Sequence, residues 1–184
     1  QRGELAGQHW SGNFGHERFV ALRNPDVELD MSSVATGLKD PAVKLQFTFP
    51  DLDGKPVSLA DPRFEGKVVI VTLAGSWCPN CHDEAAFLAQ LYREHRAEGL
   101  EVVALMFEHF GDFKQAANAT RRFRKSTGID YVTLIAGTSS GDDAEKALPQ
   151  LTGVFAFPTT IWVDRAGVVR KIHAGFSGPA TGAH

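Results

Sequence analysis

The amino-acid sequence predicts an α/β protein in which helices flank a central mixed β-sheet. Two apolar runs rich in β-branched residues, at positions 67–74 and 101–107, have the composition of buried strands, and each is followed by a segment with helical spacing of apolar residues. Near the C-terminus, two short apolar runs flank the turn Asp164-Arg165-Ala166-Gly167 as a predicted hairpin. Strands connected through helices pair in parallel and a hairpin pairs antiparallel, so the expected sheet is mixed.

Local signals define the elements in the first half of this region. Residues 45–49 alternate apolar and polar side chains as a half-buried strand does, and the turn at 51–54 leads to a short strand at 57–59. After the strand at 67–74, Pro79 suits the first turn of a helix, and Gly99 ends that helix, which is predicted over residues 79–97.

The second half has similar signals. Asp112 is placed to cap a helix after the strand at 101–107, and Gly128 closes it. The remaining predicted elements are a strand at 129–135, a helix at 142–151, and strands at 157–163 and 168–173.

The first forty residues have a different character. They contain scattered aromatic residues and glycines, and they are compatible with one or two short strands. We therefore expect two parts: residues 1–40 form an N-terminal extension or the remnant of a preceding domain, and residues 41–184 form the main domain.

Composition excludes several classes of function. The chain has 184 residues with 43% hydrophobic and 22% charged residues, which suits one substantial globular core. The net charge of −3, with no basic block, gives no electrostatic support for binding nucleic acid. No apolar stretch reaches the length that spans a bilayer.

The strongest chemical signal is Trp77-Cys78-Pro79-Asn80-Cys81, which contains both cysteines of the chain. The motif follows a predicted buried strand and opens a predicted helix. Backbone N–H groups and the helix dipole at that position favour a thiolate at Cys78. We predict that Cys78 is the exposed nucleophile, that Cys81 resolves the mixed disulfide, and that Trp77 packs beside the pair.

The motif has other possible interpretations. A purely structural disulfide would close a very small loop and stabilise the fold weakly. A zinc site needs two further ligands, and the sequence has no second cysteine pair and no close pair of histidines, so no metal is expected. Cys78, Cys81 and His82 also satisfy the C-x-x-C-H pattern of haem attachment, which leaves a haem-binding electron carrier as an alternative.

Three motifs besides the cysteines carry a family resemblance. They are FPDLDGKPVSL at 49–59, GKVVI at 66–70 and FPTTIWVD at 157–164. With the C-x-x-C motif, they resemble the thioredoxin superfamily, and within it the TlpA-like and ResA-like thiol:disulfide oxidoreductases of the bacterial cell envelope. The resemblance covers residues 43–175. It implies a thioredoxin-like fold, and the closing C-terminal helix of that fold is expected to be missing from this chain.

The resemblance also implies roles for other residues. Pro158 is the expected cis-proline facing the dithiol, and the backbone of Phe157 becomes available to an extended substrate. Glu108 ends the strand next to the one preceding Cys78, so its carboxylate either lies under the dithiol and relays a proton to Cys81 or is a solvent-facing acid at a strand end. The predicted substrate-binding residues are Trp77, Pro79, Asn80, Phe157 and Thr159.

The expected function is thiol:disulfide exchange with cysteine pairs of other proteins, in the reducing direction and without a cofactor. The resemblance implies a periplasmic or cell-envelope location, a membrane or soluble thiol reductant upstream, apocytochrome thiols among the clients, and a membrane tether outside the visible chain. A thioredoxin-fold peroxidase is the alternative enzyme. Its P-x-x-x-[ST]-x-x-C signature fails, because Val71 and Gly75 occupy the required positions before Cys78.

Overall fold

The computed structural model describes residues 3–11, 15–26 and 35–178, which fall into two compact units, Gln1–Ser33 and Val34–His184. The first unit contains strands β1 (Glu4–Ser11) and β2 (Gly15–Leu22). The strands of the second unit are β3 (Thr48–Pro50), β4 (Pro56–Ser58), β5 (Val68–Ala74), β6 (Leu100–Glu108), β7 (Val132–Thr138), β8 (Thr159–Val163) and β9 (Val169–Ala174). Its α-helices are α1 (Pro79–His95), α2 (Phe113–Thr127) and α3 (Gly141–Ala147).

The first unit is a two-stranded antiparallel hairpin. Its register pairs Glu4 with Leu22 and Gly7 with Phe19. The hairpin accounts for the short strands predicted within residues 1–40. The role of this segment as an extension or a domain remnant stays a prediction.

The second unit is built around a five-stranded sheet with the strand order β7-β6-β5-β8-β9. β5 pairs in parallel with β6, and β6 with β7, whereas β8 pairs antiparallel with both β5 and β9. The predicted mixed sheet flanked by helices is therefore confirmed. The sheet topology is that of a thioredoxin-like fold.

Both faces of this sheet are buried, because alternate residues of its central strands enter two separate cores. Val102, Ala104 and Met106 of β6 enter the core beneath α1 and α2. The intervening Val103, Leu105 and Phe107 enter the core on the opposite face, which includes residues of β4 and α3. The near-continuous apolar runs seen in the sequence follow from this two-sided burial.

The ends of α2 agree with the predicted signals. The Asp112 side chain accepts a hydrogen bond from the backbone N–H of Gln115 at 2.8 Å, and Gly128 has the left-handed φ of 72°. β7 begins at Val132, three residues later than predicted. The N–H groups of Gly128 and Ile129 both donate to Arg124 O, so the chain is still completing the helix end there.

Two further boundaries differ from the sequence prediction. α3 ends at Ala147 rather than at 151, because Leu148 precedes Pro149 and a residue before proline disfavours the helical conformation. Residues 37–39 lie in the second unit, since Leu38 bridges to Leu151 and Lys39 N donates to Gln150 O. The predicted boundary after residue 40 is thus later in the chain than the division between the units.

After β9, the described chain continues to Gly178 without a further helix. The chain end at 179–184, where the family's closing helix was expected to be missing, lies outside the described residues. None of the described helices is both long and apolar enough to cross a membrane.

Candidate active site: a dithiol at the start of α1

The dithiol lies where the buried strand β5 passes into α1. After Ala74 the chain turns through residues 75–77, with Cys78 N donating to Gly75 O at 3.1 Å. Cys78 is the N-cap residue of α1, with extended backbone angles, and Pro79 occupies the first turn as predicted. Cys81 then lies one turn into the helix, and its N–H donates to Cys78 O at 3.1 Å.

Both cysteines are free thiols and both are buried, with 5% of Cys78 and 1% of Cys81 exposed. The prediction that Cys78 is exposed is therefore wrong, because the sulfur lies against Phe157 O of the loop before β8, and Cys78 is only the less buried of the two. The pKa of Cys78 is lowered to about 7, chiefly by a hydrogen bond from the Cys81 thiol and also by the backbone N–H groups of Cys81 and Asn80, against the opposing effect of burial. The same hydrogen bond, together with burial, raises the pKa of Cys81. The pair therefore contains one thiol that ionises near neutral pH and one that stays protonated.

The loop before β8 faces the dithiol. The Phe157–Pro158 peptide bond is cis, which confirms that part of the sequence prediction. Cys78 Sγ lies 3.4 Å from Phe157 O, so the carbonyl just before the proline touches the N-terminal sulfur. The adjacent Thr159 is buried, and its hydroxyl donates to Ala156 O at 2.8 Å, which fixes the loop instead of offering a free polar group.

Trp77 lies between this loop and the end of β6. Its ring meets Phe157 edge-on at a centroid distance of 5.6 Å and stacks on His109 at 4.8 Å. Its indole N–H donates to Phe107 O at 2.9 Å. This packing requires Gly75, because a Cβ there would lie 2.3 Å from the indole nitrogen and 2.8 Å from Phe107 O.

Pro79 and Asn80 separate the two sulfurs along the chain. Pro79 is exposed and Asn80 is half-buried, and the effect of Asn80 on the dithiol comes from its backbone N–H rather than from its side chain. Their predicted contact with substrate stays a prediction.

A buried carboxylate that the sequence analysis missed belongs to Glu84, which is 4% exposed. It accepts hydrogen bonds from the hydroxyls of Thr72, at 2.6 Å, and Thr160. Burial raises its pKa, and its charge raises the pKa of both thiols. The signal was available in the sequence: Glu84 stands three residues after Cys81, a spacing that puts both on one face of a helix.

Glu108 is also buried, with 1% exposed, which excludes the alternative of a solvent-facing acid. Its carboxylate accepts hydrogen bonds from Ser76 N at 3.1 Å, Ser76 Oγ at 2.7 Å and Thr120 Oγ1 at 3.2 Å. Among the described residues, no hydrogen bond joins this carboxylate to either cysteine. Its proton-relay role stays a prediction.

The C-x-x-C-H interpretation gains no support from the surroundings of His82. Its Nε2 bonds to Ser76 O at 2.9 Å, and its ring meets Phe123 edge-on at 4.7 Å. Because both sulfurs are buried and the imidazole is held by these contacts, the site offers little room for a macrocycle. Among residues 3–11, 15–26 and 35–178, no group of three or more His, Cys, Asp or Glu side chains could hold a metal ion.

This fold, with a dithiol at a helix start facing a cis-proline, defines a protein of the thioredoxin superfamily. The Redoxin family matches residues 37–182, and the chain belongs to that family. The resemblance to ResA-like proteins inferred from the sequence is confirmed by its relatives.

Curated relatives include the thiol-disulfide oxidoreductase ResA of Bacillus subtilis (strain 168), which is 28% identical over 129 residues that cover 70% of this chain and 64% of the relative. ResA of Geobacillus thermodenitrificans is 28% identical over 146 residues, covering 79% of this chain and 73% of the relative. The chain thus spans somewhat less than two thirds of the first of these relatives.

Among solved structures, a putative thiol:disulfide interchange protein DsbE from Chlorobium tepidum has a TM-score of 0.60 and 24% identity, with 80% of this chain and 92% of that one covered. StoA from Bacillus subtilis has a TM-score of 0.52 and 20% identity, with 76% and 95% covered. At these identities the likeness establishes the fold.

Proposed function

We propose that this protein is a thiol:disulfide oxidoreductase that reduces disulfides of other proteins through Cys78 and Cys81. The observation that carries the proposal is the divergence of the two thiols, one with a pKa of about 7 and the other with a raised pKa. Thiolates are the nucleophiles of disulfide exchange. The pair therefore contains one thiol that attacks as a thiolate and a second, protonated thiol that resolves the mixed disulfide.

In the first step, the Cys78 thiolate attacks one sulfur of the client disulfide. A mixed disulfide forms, the client S–S bond breaks, and the second client sulfur leaves as a thiolate that takes up a proton. A pKa of about 7 suits this step, because about half of a thiol with that pKa is ionised at neutral pH and the thiolate keeps useful nucleophilicity.

In the second step, Cys81 loses its proton and attacks the Cys78 sulfur. The mixed disulfide breaks, the first client sulfur leaves as a thiolate, and Cys78–Cys81 becomes the disulfide. The client gains two electrons from the enzyme, and its two thiolates take up two protons, one that Cys81 released and one from solvent. The reverse reaction uses the same residues.

Glu84 is the carboxylate that we assign to the proton of Cys81. Burial raises its pKa, so the group exchanges a proton closer to neutral pH than an exposed glutamate does. When charged, it raises the pKa of Cys81. A proton that passes from the thiol to Glu84 leaves a thiolate beside a neutral carboxyl group, so two buried anions never face each other.

The client is expected to bind as an extended segment across Cys78 and the cis-proline loop. The contact of Cys78 Sγ with Phe157 O supports this, because a client residue bonded to the sulfur is then beside the loop backbone. We assign Trp77, Pro79 and Asn80 to the surrounding surface, with Trp77 partly exposed. Thr159, which the sequence analysis placed among the substrate-binding residues, is fully buried and supports the loop from below.

The cellular location and the partners of the protein are proposed from its family. We propose a periplasmic or cell-envelope location, an upstream membrane or soluble thiol reductant, and clients that include apocytochrome thiols. ResA relatives support the coarse statement that the clients are protein thiols. One structural neighbour, from Mycobacterium tuberculosis, is described as a secreted disulfide oxidoreductase, which is in keeping with an extracytoplasmic site.

The test is reduction of insulin and of a peptide with one disulfide by the reduced protein. We expect turnover, complete loss in Cys78→Ser, and accumulation of a mixed disulfide in Cys81→Ser, which lacks the resolving thiol. Absence of any reduction by the unmutated protein would refute the proposal. A Soret band in the visible spectrum would favour the haem carrier, and rapid consumption of peroxide would favour the peroxidase.

Trapping in native cells extends this test to partners. Cys81→Ser should retain client proteins as mixed disulfides, and their identity and compartment would check the location directly. Exclusively cytoplasmic clients would contradict the envelope assignment while leaving the chemistry intact.

A further inference from the structure

The turn that presents Cys78 is held by hydrogen bonds at all three polar groups of one residue, Ser76. Its N–H and its hydroxyl donate to the two carboxylate oxygens of Glu108, at 3.1 and 2.7 Å. Its carbonyl accepts from His82 Nε2 at 2.9 Å. Ser76 is therefore fixed from β6 on one side and from α1 on the other.

Packing alone does not hold this turn. It borders an open cavity of about 440 Å³ that Ser76 lines together with Trp77, His82, Glu108, Arg122 and Phe123. On the side that faces the cavity no packed core restricts the turn, so its hydrogen bonds hold its conformation there. Cys78 follows Ser76 by two residues and bonds to Gly75 at the start of the same turn.

We propose that Glu108 is a positioning residue, which fixes the Cys78 sulfur by clamping Ser76 and exchanges no proton with the dithiol. The inference rests on the proposed function, because positioning is meaningful for a sulfur that attacks a client. It assigns Glu108 a different role from the proton relay predicted from the sequence.

The chemistry of the contact explains why a carboxylate stands here. Two oxygens on one planar group accept the N–H and the O–H of a single residue at once, which neither a hydroxyl nor a carbonyl does as well. Thr120 of α2 donates to the oxygen that also receives Ser76 N, and this fixes the plane of the carboxylate. All three described hydrogen bonds to the Glu108 carboxylate come from donors of Ser76 and Thr120, and none comes from a cysteine.

A glutamine in this place separates positioning from proton transfer. Its carbonyl oxygen can accept from Ser76 N and Thr120 Oγ1, and its NH₂ can donate to the Ser76 hydroxyl, which is also an acceptor. Glu108→Gln therefore keeps the clamp and cannot carry a proton. Glu108→Ala loses both.

The experiment measures the second-order rate constant for reduction of a peptide with one disulfide, from pH 5 to pH 9, with the thiol pKa of Cys78 measured by alkylation. We expect Glu108→Gln to stay within about twofold of the unmutated protein, and Glu108→Ala to be about tenfold slower at every pH with the Cys78 pKa unchanged, because sub-ångström misplacement of a reacting atom has effects of this order.

Two controls accompany it. Glu101→Ala removes a half-buried carboxylate near the opposite end of β6, where Glu101 pairs with Lys67. This change should leave the rate of reduction unchanged. Ser76→Ala removes only the hydroxyl and should slow reduction by about threefold. Combined with Glu108→Ala it should add nothing, since the two changes break the same contact.

Amide hydrogen exchange at Ser76 gives a readout that needs no client. We expect protection in the unmutated protein and in Glu108→Gln, and its loss in Glu108→Ala. If Glu108→Gln is as slow as Glu108→Ala with a shifted pH midpoint, Glu108 transfers a proton and the proposal is wrong. Equal rates in all variants would also overturn it. Failure of the unmutated protein to reduce any peptide would instead refute the proposed function, with Ser76 protection still testing the clamp.

Discussion

Cys78 and Cys81 carry the same chemical group, and their surroundings give it opposite acidity. Cys78 receives a hydrogen bond from Cys81 and backbone N–H groups from the first turn of α1, all of which favour its thiolate. Cys81 donates that bond and is more deeply buried, so its thiol form is favoured. At Cys78 the hydrogen bond lowers the pKa by more than burial raises it. At Cys81 the hydrogen bond and burial both raise the pKa.

Removing the Cys81 thiol should make Cys78 less acidic. Because the largest effect on Cys78 is the bond from Cys81, we expect Cys81→Ala to raise the pKa of Cys78 from about 7 toward the ordinary 9.0. The rate of iodoacetamide alkylation as a function of pH measures this. Cys81→Ser keeps a donor and should shift the midpoint less, and an unchanged midpoint in Cys81→Ala would contradict the assignment.

Glu84 should make stability depend on pH in a defined direction. Its pKa is raised above 4.5 in the folded state, so its contribution to stability is present at low pH and is lost as the pH rises through the folded pKa. Glu84→Gln has no charge to bury. The free energy of unfolding of Glu84→Gln, relative to that of the unmutated protein, should therefore increase from pH 4 to pH 8. Urea denaturation of both proteins measures this difference.

An equal pH dependence in the two proteins would show that Glu84 is solvated in the folded state. Asp142→Asn, which removes an exposed carboxylate from α3, is the control for the loss of one acidic side chain.

At the scale of elements, the junction of β5 and α1 sets the position of the dithiol. β5 is anchored by pairing with β6 and β8, so the turn that follows it starts from a rigid position. The turn packs its tryptophan against the end of β6, which is possible because residue 75 has no side chain.

Gly75→Ala should disturb this junction. The new methyl would lie 2.3 Å from the Trp77 indole nitrogen, so the ring must move and its bond to Phe107 O is lost. We expect a loss of about 1–3 kcal/mol in the free energy of unfolding, as for other overpacked sites, and a change in tryptophan fluorescence. Gly111→Ala is the control, because a Cβ there meets no atom within 4 Å. Similar effects in both variants would argue against the close approach.

At the scale of the whole molecule, both cores belong to one unit. Every buried residue of the two core clusters lies at position 45 or later in the chain, on the two faces of the five-stranded sheet. The family match begins at residue 37, close to the start of the second unit at Val34.

Residues 34–184 should therefore fold without the first unit. We expect a single cooperative unfolding transition by circular dichroism, and a rate of peptide reduction within about twofold of that of the full chain, because no core residue has been removed. A shortened protein that aggregates or shows no cooperative transition would indicate that the hairpin of β1 and β2 is needed for folding.

Much of the fold was predictable because its signals are local. Apolar runs rich in β-branched residues predicted the buried strands, and the capping residues Asp112 and Gly128 predicted the ends of α2. The end of α3 at Ala147 was also predictable from a local signal, because Pro149 disfavours the helical conformation of Leu148.

The sequence by itself determined the chemistry of the site: a thiol pair at the start of a helix, and, through a family resemblance, a cis-proline at Pro158. The tertiary structure decided which buried carboxylate acts on the sulfurs and which holds the turn. Glu84 and Glu108 are the same residue type on different elements, and their partners Thr160, Ser76 and Thr120 come from distant parts of the chain. Burial and pairing across such distances depend on how strands and helices pack together, which no local sequence pattern specifies.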